Sequence, residues 1–204
     1  MSENGTETAK EPHGIWKPLI AYERFADSVS EVTGAISMWV VLPTIAVGFV
    51  NTILRYVGQA TGTKLTNNTI IELQWYLYSM IFLLGFGYIL KHQINVRVDF
   101  WFANQSQRTR AWIDFWGHLI GLLPFCLIGL WVSIPQAVAS WRIWEQSPDA
   151  DGLPRAPIKA MIAVAFVLLF MQANAEMVRI TAILRGHPDY VELPDTPDAP
   201  IRVE

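Results

Sequence analysis

The chain is short of charge. Asp, Glu, Lys and Arg make up 16% of its 204 residues, against about 25% in ordinary soluble domains. Its net charge of −3 excludes the basic field that nucleic-acid binding requires. A single cysteine, Cys126, rules out an intramolecular disulfide and leaves no second thiol for redox exchange. There is no phosphate-binding glycine loop, no metalloprotease helix and no nucleophile elbow, so no motif points to an enzyme. No signal peptide is expected either, because the first apolar run begins after about 30 residues and exceeds a usual h-region.

Long apolar runs, by contrast, dominate. The composition is 52% hydrophobic and includes nine tryptophans. Val32 to Leu54 is 23 residues without a charge, Leu73 to Leu90 is 18, Phe115 to Trp141 is 27 and Ala160 to Ala175 is 16. A membrane-spanning helix needs about 20 mostly apolar residues, and a soluble fold could not cover four such helices with the polar residues available. The reading is an all-α integral membrane protein with four transmembrane helices, at about 32–55, 70–91, 112–141 and 157–184, within a membrane domain over 31–185. Trp116 and Trp141 are 25 residues apart, about 37 Å of helix. That matches two aromatic belts flanking a hydrocarbon core of about 30 Å.

Basic residues set the orientation. Lys10, Lys17, Arg24, Lys91, Arg97, Arg108, Arg110, Arg179, Arg185 and Arg202 fall on the side of the termini, whereas Arg55, Lys64, Arg142, Arg155 and Lys159 fall opposite. Ten against five places both termini in the cytoplasm. Residues 1–14 and the acidic, proline-rich 186–204 read as disordered tails. Residues 15–30, with Leu19, Tyr22, Phe25, Ala26 and Val29 at helical spacing, are expected to form an amphipathic helix lying on the membrane surface, the alternative being a plain prefix of the first span.

Ionisable groups near the spans invite chemical readings. Glu72, opening the second run, suits either a carboxylate at a helix N-terminus or a proton carrier in a small exporter. Asp114 and His118, four apart, share a face and suit an interfacial hydrogen bond or ion pair. No second close His or Cys completes a metal shell, although His92 and His118 leave a haem-bearing or quinone-associated anchor open as an alternative. Glu176 and Arg179 read as a snorkelling pair at the end of the fourth span. In "ILKHQINVRVDFW" (89–101), Ile94, Val96, Val98 and Phe100 alternate with Asn95, Arg97, Asp99 and Trp101. This is a short extended, topogenic turn with one apolar edge.

Five stretches in sequence, "ELQWYLYSMIFLLGFGYILK", "INVRVDFW", "SQRTRAWIDFWG", "SWRIWEQSPDADGLPRAPIKAMI" and "LLFMQANAEMVRI", resemble the small permease subunit of TRAP transporters, the DctQ-like family, over roughly residues 30–185. The resemblance implies a non-catalytic subunit that braces a larger permease subunit and helps dock a periplasmic substrate-binding protein. The solute would be an organic acid or similar compound, and the sodium ions would bind the large subunit, leaving this chain without a cofactor. The partners implied are therefore the large permease subunit, the binding protein and the bilayer, with no nucleic acid. Glu72, Trp75, Asn95, Arg97, Asp99 and Gln172 are expected to face the membrane partner. Glu145, Ser147, Pro148, Asp149, Pro154, Pro157 and Lys159 are expected to form the periplasmic docking loop. Asn95 stands where family members often carry histidine.

Overall fold

The computed structural model describes residues 16–94 and 105–186, and every regular element among them is helical. The elements are α1 (Trp16–Thr61), α2 (Asn68–Lys91), α3 (Gln107–Trp116), a π-helical turn (Gly117–Leu122), α4 (Leu123–Ile143) and α5 (Ala156–Leu184). α1, α2, the continuous α3–π–α4 run and α5 are each long and apolar enough to cross a membrane. The four apolar runs of the sequence lie within them. The expected extended segment, with Asn95, Arg97 and Asp99, lies outside the described residues, as do nearly all residues of the two expected tails.

Local chemistry fixes the helix ends. The Asn67 side chain accepts from the Ile70 N–H at 3.2 Å, and Ser106 Oγ accepts from the Thr109 N–H at 3.3 Å, which satisfies donors that the first turn leaves free. Pro157 sits in the opening turn of α5, where a missing N–H costs nothing, and Pro124 closely follows the π-helical turn. α4 ends at Trp144 in the left-handed conformation. Pro43 lies inside α1, and the next residue, Thr44, donates its hydroxyl to the Val40 carbonyl at 2.7 Å.

α5 is the hub: it packs against α1, α2, α3 and α4, while α1 leans mainly on α2. Small side chains make this possible. Ala165, Ala173 and Ala175 of α5 are fully buried, and Leu90, Cys126, Leu169 and Ala173 form the core, flanked by Phe86, Leu122, Leu123 and Phe170. Gly129 of α4 leaves room for the Phe166 ring, which an added Cβ would strike. The outward surface is the inverse of a soluble protein's: Trp39, Phe49, Ile128 and Trp131 stand exposed, Trp131 by 77%. A bilayer tolerates that surface and water does not.

Residues 16–30 do not form a separate surface helix. They are the first turns of α1, a single helix of 46 residues. The buried positions Ile20, Glu23, Ala26, Ser30, Gly34 and Ser37 recur every three or four residues and form one continuous stripe. An amphipathic pattern has the same period whether its inner face meets lipid or protein. Here it meets α5 and α2. The Arg185 guanidinium lies 5.8 Å from the Trp16 ring centroid, and Arg179 and Gln172 meet Glu23 and Ser30, so the start of α1 runs antiparallel to the end of α5.

Candidate functional site: two polar clusters at opposite ends of the bundle

The first cluster lies where α1 begins and α5 ends. Arg179 donates to three carboxylates, at 3.0 Å to Glu23, 2.9 Å to Asp27 and 2.8 Å to Glu176. Gln93, just beyond α2, donates to Glu176 at 2.9 Å. Gln172 links the layers: it accepts from the Ser30 hydroxyl at 2.7 Å and donates to Asp27 at 2.8 Å. One turn further along α1, Glu31 accepts from Lys91 at 2.7 Å and pairs with His92 Nε2 at 2.8 Å. Thus α1, α2 and α5 are joined by one network.

Glu176 and Arg179 are paired as their i, i+3 spacing suggests, yet they do not snorkel. Glu176 is only 2% exposed, because the pair points inward, to partners about 150 residues away in the chain. The Asp114–His118 relation also differs from expectation. His118 Nδ1 donates to the Asp114 backbone carbonyl at 2.7 Å, not to its carboxylate, and its Nε2 is buried without a partner among the described residues. The nitrogens of His92 and His118 thus face different environments, with His92 Nε2 committed to Glu31.

The second cluster lies at the other end and is centred on Glu72. This residue is 3% exposed. One carboxylate oxygen accepts from the Ser147 hydroxyl and the other from the Leu153 backbone N–H. Both donors belong to the loop between α4 and α5. α2 fixes the same loop at three more points: Asn68 donates to the Ala150 carbonyl at 2.9 Å, Thr69 to that of Asp151, and Tyr76 to that of Pro154 at 3.1 Å. Gly152 passes so close to Glu72 that a Cβ there would lie 2.8 Å from its oxygen. Within the loop, Asp149 N–H donates to Ser147 Oγ and Gly152 N–H to the Asp149 carbonyl, both at about 3.1 Å or slightly more.

The loop closes on α5 through Glu145. Its carboxylate pairs with Lys159 at 2.5 Å, and its carbonyl accepts from the Arg155 N–H at 2.8 Å. The Lys159 hydrogen bond holds the Glu145 carboxyl below the usual glutamate range. Pro148, Asp149, Ala150 and Asp151 remain exposed at the crest, and Asp151 is held at φ 60°. The geometry is that of a preformed platform whose backbone is pinned by α2 while the side chains of its crest stay exposed.

Of the residues expected to face a membrane partner, Glu72 and Gln172 are buried within the chain and Trp75 is 40% exposed. The expected docking residues are all in or beside the loop, although Ser147, Glu145 and Lys159 are engaged internally and Pro148, Asp149 and Pro157 are open. Sequence reasoning missed the roles of Glu23, Asp27, Ser30 and Tyr76. The spacing of Glu23, Asp27 and Ser30 on one face of α1 is visible in the sequence, but partners as distant as Gln172, Arg179 and, for Tyr76, Pro154 are not. Among the described residues no group of three metal-ligating side chains converges.

Comparison with curated proteins and with solved structures finds no match. The family model for the DctQ component of tripartite ATP-independent periplasmic transporters matches residues 44–182, and the chain belongs to that family.

Proposed function

We propose that this small subunit of a tripartite transporter is a non-catalytic brace for the large permease subunit and, through its α4–α5 loop, part of the landing surface for the substrate-binding protein. The transport it serves is sodium-coupled uptake of an organic acid or similar solute, with the ions bound in the large subunit. Membership of the family supplies the multi-pass inner-membrane setting and the tripartite assembly. The observation that carries the rest is the loop over 144–155, fastened to α2 by Glu72, Asn68, Thr69 and Tyr76 while its crest stays open. A rigid crest loses little conformational entropy when a partner lands on it. The excess of basic residues at the opposite end favours cytoplasmic termini and a periplasmic loop.

Two measurements test this reading. Co-expressed with the large subunit, the chain should co-purify with it. Reconstituted alone in proteoliposomes with a sodium gradient, it should accumulate no solute, and uptake by the chain alone would refute the non-catalytic role. For orientation, Asp149→Cys in a Cys126→Ala background should react with a membrane-impermeant maleimide in intact spheroplasts, whereas Ser106→Cys should react only after permeabilisation. The reverse pattern would invert the topology.

A further inference from the structure

On the outer face of α2, Trp75, Tyr78 and Phe82 are exposed, Tyr78 by 66%. Their spacing places them on one stripe. Between this stripe and Ile158 and Ile162 of α5 runs an apolar groove of about 300 Å³, with Ser79 in its floor. From the start of α2 the three aromatic residues lie about 10, 15 and 21 Å along the helix axis. An interfacial belt would hold them in one layer; this stripe runs across the layers and into the hydrocarbon.

The polar atoms in the groove narrow its occupant. Ser79 Oγ is satisfied by the Trp75 carbonyl at 2.8 Å. The Tyr22 and Tyr76 hydroxyls donate to the Met171 and Pro154 carbonyls. Tyr78 has no hydrogen-bond partner among the described residues. A hydroxyl in hydrocarbon costs free energy until it finds an acceptor. An acyl chain fills an apolar groove and offers no acceptor. A helix fills it with side chains and brings a Ser, Thr, Asn or Gln oxygen, or a carbonyl freed at a proline. Aromatic side chains lining a cleft are also the usual anchors of protein interfaces.

We propose that the α2–α5 groove seats a transmembrane helix of the large permease subunit, with a hydrogen-bond acceptor opposite Tyr78. This rests on the reading of the chain as the bracing subunit and adds the face it uses. The test places a photo-crosslinking phenylalanine analogue at position 78, 39 or 131, one chain per site, in cells co-expressing the tagged large subunit. Co-purification is measured in parallel. Position 78 should give the adduct with the large subunit, at least fivefold above positions 39 and 131. Tyr78→Phe should keep the two subunits together but shorten the life of the detergent-extracted complex about threefold or more, as loss of one intramembrane hydrogen bond does. An adduct at 39 or 131 but not 78, or at 78 only with lipid or a second copy of this chain, overturns the groove while co-purification persists. Loss of co-purification in the unsubstituted chain overturns the bracing role itself, and the groove's occupant with it.

Discussion

Replacing Arg179 by methionine keeps most of the side chain's volume and removes the one charge that three carboxylates share. Glu23 and Glu176 are buried, and the Asp27 side chain is 19% exposed. Gln93 and Gln172 remain as neutral donors to Glu176 and Asp27, so the loss is partial. Removing one partner of a buried ion pair typically costs about 3–5 kcal/mol, because the other charge is left uncompensated. In proteins of 150–250 residues about 1 kcal/mol corresponds to 2–4 °C, so Arg179→Met should lower the melting temperature in detergent or nanodiscs by at least about 6 °C. Lys91→Met is the internal control. Its partner Glu31 is 45% exposed, and pairs open to that degree contribute about 1 kcal/mol or less. Adding Glu176→Gln to Arg179→Met should recover part of the loss by removing one stranded charge. Equal, small shifts for Arg179→Met and Lys91→Met would refute the idea that the cluster is insulated from solvent.

Three further perturbations probe the other end and the core. Glu72→Gln removes the charged acceptor of the Leu153 N–H, a bond class worth about 1.5–3 kcal/mol; amide exchange across 147–153 should quicken while the helical amides of α4 keep their protection. Because the Glu145 carboxyl is held below its ordinary value near 4.5, the stability from its pair with Lys159 is present above that value and fades as pH falls through the lowered one. Protection of the Arg155 amide, taken relative to its intrinsic exchange rate at each pH, should therefore fall below about pH 4.5 in the native chain, and Lys159→Met should abolish that fall. Gly129→Val drives a side chain into Phe166 and should destabilise by about 1–3 kcal/mol, read as a lower melting temperature, with Phe166→Ala in the same chain restoring part of it.

The spans and their number were legible because a bilayer imposes a length and a polarity that single residues cannot hide. The family was legible through the order of short motifs. What escaped was pairing at long range. Glu72 lies at the edge of an apolar run, and nothing near it in sequence announces Ser147 and Leu153 as its donors. Glu23 and Asp27 look like solvated helix positions until α5 brings Arg179 against them. The π-helical turn at Gly117–Leu122 likewise has few local signals, two glycines and the following Pro124. The sequence of residues 16–30 suits a surface helix and a prefix of the first span equally, for a sharper reason. Helical periodicity specifies which face is buried, and it does not specify what buries it.

The placement of the polar groups argues for a body that moves as a unit. Glu23 and Glu176, two of the three buried carboxylates among the described residues, lie at the end where the termini lie, and Glu72 lies at the loop end. Between them the contacts are made mostly by small and apolar side chains, with a hydrogen bond between helices from Ser37 to the Ile81 carbonyl at 2.7 Å. α1, α2 and α5 are thus fastened by directional bonds at one end, and α2, α5 and the loop that leaves α4 at the other. Sliding one helix along another would break bonds of charged groups in a medium that offers no replacement. Close packing of Gly34 on Tyr88 and of Gly129 on Phe166 adds steric resistance to the same motion. A carrier that alternates its access needs two arrangements of comparable energy. This bundle stakes its polar interactions on one, which accords with the bracing role proposed above.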